Sequence, residues 1–189
     1  MQEATQPQPR VEPHEIVQES STPEVRLRQL FDTQFDFVWR SLRRLGVPEL
    51  LADDATQEVF LVASRRLADI EIGRERSFLF ATALRIASTT RRGIARRGDH
   101  DDQAVDLLVD QTPGPDELAD RQRARAVLDR ILETMDLELR AVFVLYELEE
   151  MTMAEIAVTL ELPPGTVASR LRRAREAFQA TVSRLRGAA

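Results

Sequence analysis

Residues 152–175, TMAEIAVTLELPPGTVASRLRRAR, restrict the fold more than any other stretch of the chain. They read as two short helices joined by a tight turn. Thr152 followed three residues later by Glu155 is a capping-box pattern at a helix start. Ile156, Ala157 and Leu160 supply an apolar face at helical spacing. Leu162 and Pro163 interrupt that helix. Pro164 suits the first turn of the next one, because its missing N–H would have no intrahelical partner there. Val167, Leu171, Ala174 and Phe178 then recur at intervals of four, three and four and line one face. Thr166, Ser169, Arg170, Arg172, Arg173 and Arg175 are left for the other faces. A short helix buried on one side, with hydroxyls and guanidinium groups elsewhere, has the chemistry to enter a DNA groove. A helical hairpin with a solvated arginine face is the plainer alternative, and the rest of the chain argues against it.

The same 3.6-residue periodicity runs through most of the remaining sequence. Residues 1–23 are rich in Pro, Gln, Glu and Ser and predict a disordered N-terminal tail. Residues 24–45 predict a helix with Leu27, Phe31, Phe35, Val38, Leu42 and Leu45 as its stripe, ended by Gly46 and Pro48. Trp39, the only tryptophan, is expected to be a packing residue. A second helix is expected from Glu49 to about Leu67, with Leu51, Ala55, Val59 and Val62 or Ala63 buried and Asp54, Gln57 and Glu58 turned elsewhere. A third runs from about Arg76 into the early nineties and is apolar nearly all round, as the central helix of a bundle would be. Its end turns basic, and Gly93 there is expected to weaken or terminate it. Residues 98–118 are acidic, contain Pro113-Gly114-Pro115 and predict a flexible linker. Beyond it, Val127, Leu128, Ile131, Leu132 and Met135 mark one helix, and Leu139 to Leu148 a strongly apolar second. No alternating strand pattern is long enough to matter. The expected fold class is all-α: two small helical domains on an acidic tether.

Composition narrows the chemistry. The chain has no cysteine, so disulfides and thiolate metal sites are excluded. His14 and His100 lie far apart in polar sequence, so no histidine-based metal or catalytic site is expected, and no cofactor either. Without paired catalytic groups or a phosphate-cradling glycine loop, an enzyme and a small-molecule substrate are not expected. No run approaches the roughly 20 apolar residues that span a membrane, and the N-terminus lacks a charged-then-apolar signal pattern. The expected location is therefore cytoplasmic. All 26 basic residues are arginine, whose planar fork of donors suits phosphate and base edges. The net charge of −6 is unfavourable for a polyanion, but its distribution is not. Residues 77–98 hold Arg85, Arg91, Arg92, Arg96 and Arg97 and no acid, and residues 164–189 hold six arginines against Glu176. The acids collect between them, at Asp99, Asp101, Asp102, Asp106, Asp110, Asp116, Glu117 and Asp120. Local field, not net charge, decides where nucleic acid binds.

In this order, the segments resemble the extracytoplasmic-function class of bacterial RNA polymerase sigma factors over about residues 25–186. DDATQEVFLVASRRL (53–67) is similar to that family's core-polymerase-binding helix, with Asp54, Gln57, Glu58, Val59 and Phe60 in its D-x-x-Q-E-V-F pattern. SFLFATALRIASTTRRGIARR (77–97) resembles the element that meets the downstream (−10) promoter sequence, and residues 139–176 the domain that binds the upstream (−35) one. The resemblance implies a region 2-like unit at 24–97, a linker at 98–118 and a region 4-like helix-turn-helix unit at 119–186. It implies polymerase contacts at Asp54, Gln57, Glu58 and Phe60. It also implies contacts with −10 DNA at Arg85, Ser88, Thr89, Arg91, Arg92, Arg96 and Arg97, and with −35 DNA at Thr166, Ser169, Arg170, Arg172, Arg173 and Arg175. The implied partners are core RNA polymerase, promoter DNA and, as in many relatives, an anti-sigma factor. The linker would thread the positively charged polymerase interior. Family members often carry Gly where Glu161 sits, Lys or Tyr where Ala168 sits, and an aspartate where Gly93 sits. Two rival readings are a helix-turn-helix regulator that acts without polymerase and a sigma-like decoy that binds an anti-sigma factor but no DNA. The first would need a dimerisation or sensory domain, for which residues 25–97 show no pattern, and the second should lack the basic clusters.

Overall fold

The computed structural model describes residues 22–98 and 116–187, with side chains from Thr22 to Arg96 and from Arg123 to Gly187. Nearly all of the expected tail and of the expected linker lies outside the described residues; Thr22 and Pro23 already belong to the start of the first helix. Among the described residues the chain is helical, without a strand: α1 (Pro23–Arg44), α2 (Glu49–Arg65), α3 (Glu75–Gly98), α4 (Asp116–Glu133), α5 (Leu137–Phe143), α6 (Met153–Thr159) and α7 (Pro164–Gly187). A 3-10 turn, Leu67–Asp69, follows α2, and a π-helical turn, Val144–Leu148, extends α5.

Local chemistry accounts for the helix ends. Thr22 caps α1, its hydroxyl accepting from Val25 N, with Pro23 at the first helical position. At the other end Val47 N donates to Leu42 O and Gly46 N to Arg43 O, the paired bonds of a Schellman ending. Gly46 takes the left-handed conformation that ending requires, at φ +92°. The end of α6 repeats the pattern, Leu162 N to Ala157 O and Glu161 N to Val158 O, but with Glu161 at the left-handed position (φ +53°). The Thr152–Glu155 capping box forms in full at the start of α6. Gly93 does not end α3, which continues through it to Gly98. One glycine costs only about 1 kcal/mol, and Arg92 and Thr89 on the preceding turns bond along the helix.

The helices α1, α2 and α3 form one bundle and α4 to α7 a second. Buried side chains include Val38, Leu42, Val59, Leu79 and Phe80 in the first and Leu132, Val142, Leu145, Ile156 and Val167 in the second. The expected stripe of α1 is partly displaced: Leu30 and Phe37 are buried, while Phe31 is exposed and Leu27 and Phe35 are half-buried. On α2, Leu51 is exposed and Ala52, Thr56 and Phe60 join Ala55, Val59 and Ala63 inside. The two bundles are not held apart as a tether alone would suggest. The α6 helix packs on α3 and α4 on α1, and buried residues of both belong to one contiguous core.

Candidate nucleic-acid interface

Two helices carry the expected DNA-contact residues, and each is positioned by its buried face. On α3, Leu79, Phe80, Ala83, Ile86 and Ala87 anchor the helix in the bundle. Arg85, Thr89, Arg92 and Arg96 then fall on one exposed strip, with Ser88 half-buried at its edge. The strip is pre-ordered by its own bonds: Thr89 Oγ1 donates to Arg85 O (3.1 Å) and Arg92 Nε to Ser88 O (3.2 Å). Arg91 departs from the others. It is half-buried and turns back into the fold, its Nη1 donating to Leu45 O (3.3 Å) beside Gly46. The side chain of Arg97 lies outside the described residues.

On α7, Val167, Leu171 and Ala174 are buried, and Phe178 stacks on Phe143 with centroids 5.0 Å apart. The opposite face presents Ser169, Arg172 and Arg173 to solvent. Ser169 Oγ bonds to Thr166 O (2.9 Å) and Arg172 pairs with Glu176 (2.7 Å). Thr166 is half-buried in the first turn. Arg170 and Arg175 flank this face and are tied to the neighbouring helix pair. Arg170 reaches Glu138 at 2.5 Å, and Arg175 reaches Glu147 at 2.6 Å while lying over the Tyr146 ring. The bond to Glu147 raises the Arg175 pKa above its ordinary value, so this guanidinium stays charged. The arginines expected as one set thus divide into a solvent-facing group and a group that braces the fold.

The third expected surface is α2. Asp54, Gln57 and Glu58 are exposed on one face, as a partner-binding helix requires. Phe60 corrects the sequence reading: only 6% of it is exposed, against the rings of Phe31 (4.9 Å between centroids) and Phe35 (6.4 Å). It shapes the helix rather than presenting itself, because the fourth position after Thr56 falls on the core side of α2. Sequence reasoning missed Leu50 and Leu61, which are exposed on the same strip as Asp54 and Gln57. Their spacing of four, three and four through residues 50, 54, 57 and 61 was available in the sequence. Trp39 packs beside α2, its indole N–H donating to Asp53 (2.9 Å).

The chain is similar to known sigma factors. The family model described as Sigma-70, region 4 matches residues 125–178. The chain is 31% identical over 143 residues to the ECF RNA polymerase sigma factor SigE of Mycolicibacterium smegmatis, covering 75% of this chain and 55% of that protein. It therefore spans only about half the length of that relative. It is 29% identical over 151 residues to the ECF RNA polymerase sigma-E factor of Escherichia coli K12, covering 74% of this chain and 78% of that one. Its fold is similar to CnrH, solved in complex with the cytosolic domain of CnrY (TM-score 0.62, 23% identity, 83% of this chain and 87% of that one). It is similar also to the sigma factor RpoE from Bartonella quintana, solved with the anti-sigma factor NepR (TM-score 0.64, 18% identity, 84% and 97%).

Proposed function

The chain belongs to the extracytoplasmic-function class of RNA polymerase sigma factors, and we propose that it binds core RNA polymerase and directs it to start transcription at promoters with −10 and −35 elements. The observation that carries this reading is the solvent-facing set Ser169, Arg172 and Arg173 on α7, inside the matched region 4 and opposite its buried face. In this role the protein makes and breaks no bonds; it binds and positions, in the cytoplasm where polymerase works. Residues 24–97 serve as the polymerase- and downstream-element-binding unit, 98–118 as the linker, and 119–186 as the upstream-element-binding unit.

Each task follows from side-chain chemistry. The exposed carboxylates of Asp54 and Glu58, with Gln57 between them, offer a basic surface of the polymerase an acidic, hydrogen-bonding strip. Arg85, Arg92 and Arg96 on α3 hold phosphates of the opened strand. Extracting one base from the stack costs a few kcal/mol, which stacking and pocket contacts must recover. On α7 the phosphate contacts set register, and one or two groups reaching base edges discriminate by roughly 1–3 kcal/mol each. An anti-sigma factor is a further partner class, as in the solved complex of the Bartonella protein.

The test is run-off transcription with purified core polymerase on genomic fragments. Selective initiation is expected with the wild-type chain, and its loss with R172A/R173A. Failure to form any complex with core polymerase would overturn the proposal. A tight gel shift of promoter duplex without polymerase would favour a stand-alone regulator instead.

A further inference from the structure

Residues 164–189 hold six arginines and a single acid, Glu176. That acid lies on the outward face of α7. At 3.6 residues per turn, Ser169 and Glu176 are two turns apart and point almost directly away from the buried Val167, Leu171 and Ala174, with Arg172 and Arg173 on either side of that line. A carboxylate at the centre of a surface that meets DNA repels phosphate. Its position there calls for a contact that compensates.

Arg172 Nη1 donates to Glu176 Oε1 at 2.7 Å, one turn along the same helix. Both side chains remain mostly exposed, at 68% and 59%, so the pair adds little to the stability of the fold. The other arginines of this helix stand differently. Arg170 and Arg175 bond to Glu138 and Glu147, carboxylates of the preceding helical segment. Arg173 is exposed and has no carboxylate partner among the described residues. Arg172 is thus tied to an acid that travels with it on the outward face. Glu176 occupies only part of the guanidinium fork, and its Oε2 has no partner among the described residues.

We propose that Arg172 and Glu176 act as one unit that reads a G·C base pair of the upstream element, Arg172 donating to guanine O6 and N7 and Glu176 accepting from the cytosine N4 amino group. The inference rests on the reading of α7 as the upstream-element helix. In the major groove a G·C pair presents those acceptors and that donor side by side, whereas an A·T pair presents the O4 acceptor and the methyl of thymine where cytosine would donate. The carboxylate then faces a group that gives it no proton. Glu176 therefore lowers affinity for every sequence through phosphate repulsion and lowers it least where cytosine answers it, which is selectivity by penalty. From Ser169 to Glu176 the face runs about 10 Å, within the roughly 12 Å width of the major groove.

The assay is competition binding of promoter duplex to the holoenzyme, the full chain with core polymerase. The probe is a genomic fragment on which the wild type initiates selectively, with each base pair of its upstream element replaced in turn. With the wild type, replacing one G·C pair is expected to weaken binding about 10-fold or more. E176A is expected to cut that penalty to under about 3-fold and to bind the replaced fragment about 2–5-fold more tightly than the wild type does. R172A is expected to lose the same penalty while binding every fragment more weakly. R172A/E176A should discriminate no worse than R172A, because the two side chains serve one contact. R173A should instead weaken all fragments evenly and lower the salt slope by about 1. A gain in affinity joined to a loss of selectivity in E176A is a result that misfolding does not produce. Base-pair preferences left intact by E176A, or changed at different pairs by R172A and E176A, would overturn the inference, and selective initiation by the wild type would leave the proposed function standing. Absence of selective initiation by the wild type would overturn both.

Discussion

Replacing Gly46 with alanine should cost far more than the same change at Gly73, although the two glycines share nearly the same backbone. Gly46 has φ +92° and Gly73 φ +84°, so both substitutions force an L side chain into the left-handed region, at about 1–2 kcal/mol each. At Gly73 nothing lies within 4 Å of the added Cβ, and the cost ends there. At Gly46 the Cβ would stand 2.7 Å from Arg91 Nη1 and inside contact distance of Arg140 Nη1. Arg91 can swing outward. Arg140 is fully buried and cannot move without parting the bundles. Overpacking of this kind adds about 1–3 kcal/mol. The expected losses are therefore about 1–2 kcal/mol for G73A and about 2–5 kcal/mol for G46A. Urea unfolding followed by Trp39 fluorescence measures both, because Trp39 is the sole tryptophan and sits on α1, five residues before the end of the helix that Gly46 terminates. At this chain length each kcal/mol should also move Tm by about 2–4 °C. Equal losses at the two glycines would refute the reasoning, since they would mean that Arg140 does not pack where Gly46 leaves room. The loss in G46A should shrink in an R140A background.

Glu161 occupies the left-handed position of a Schellman ending, so E161G should stabilise the fold by up to about 1 kcal/mol, read as a raised urea midpoint. Its distant contact with Arg85, both side chains exposed, is too weak to reverse the sign. T152A removes the hydroxyl half of the α6 capping box and should cost about 1 kcal/mol, with the same assay as readout. Asp129 is pushed above its ordinary pKa, chiefly by burial and against the pull of Arg43 and Arg44. The folded state thus binds this proton more readily than the unfolded state. Asp129 therefore weakens the fold at neutral pH, and that penalty fades as pH falls through its raised pKa. D129N should accordingly raise Tm at pH 7 and lose its advantage in acid; a constant advantage at every pH would contradict the burial argument.

What could be read from the sequence follows from how far apart the interacting residues are. The α6 capping box, the turn at Leu162–Pro163 and the buried face of α7 all depend on residues within about one or two turns of each other, and each appears as expected. The stripe of α1 was read less well for a definite reason. Its apolar residues form two overlapping rows, and only the arrival of both α2 and α3 decides that Leu30 and Phe37 are covered while Phe31 stays at the rim against Phe60. Periodicity names the candidates, and a partner helix chooses among them. Phe60 was misplaced by the same limit: its motif marks a surface helix, but its own position points inward.

The contact between the two bundles was not legible at all, and the reason bears on how charge is read. Arg44 meets Glu149 across 105 residues of sequence and Arg76 meets it across 73, so neither contact leaves a local pattern. The sequence shows basic clusters and an acidic total, and segregation of charge along the chain was enough to make nucleic-acid binding reasonable. Folding adds a different relation. Glu149 and Glu161 come from the half of the chain that carries the second basic cluster, yet they face arginines of the other half: Glu149 meets Arg44 and Arg76, and Glu161 lies 3.9 Å from Arg85. An acid that appears to dilute one basic cluster is in fact placed against the other half of the fold. Net charge, and even charge by segment, therefore does not say which guanidinium groups the fold pairs: one buried carboxylate, Glu149, engages two arginines without altering the sequence of either cluster.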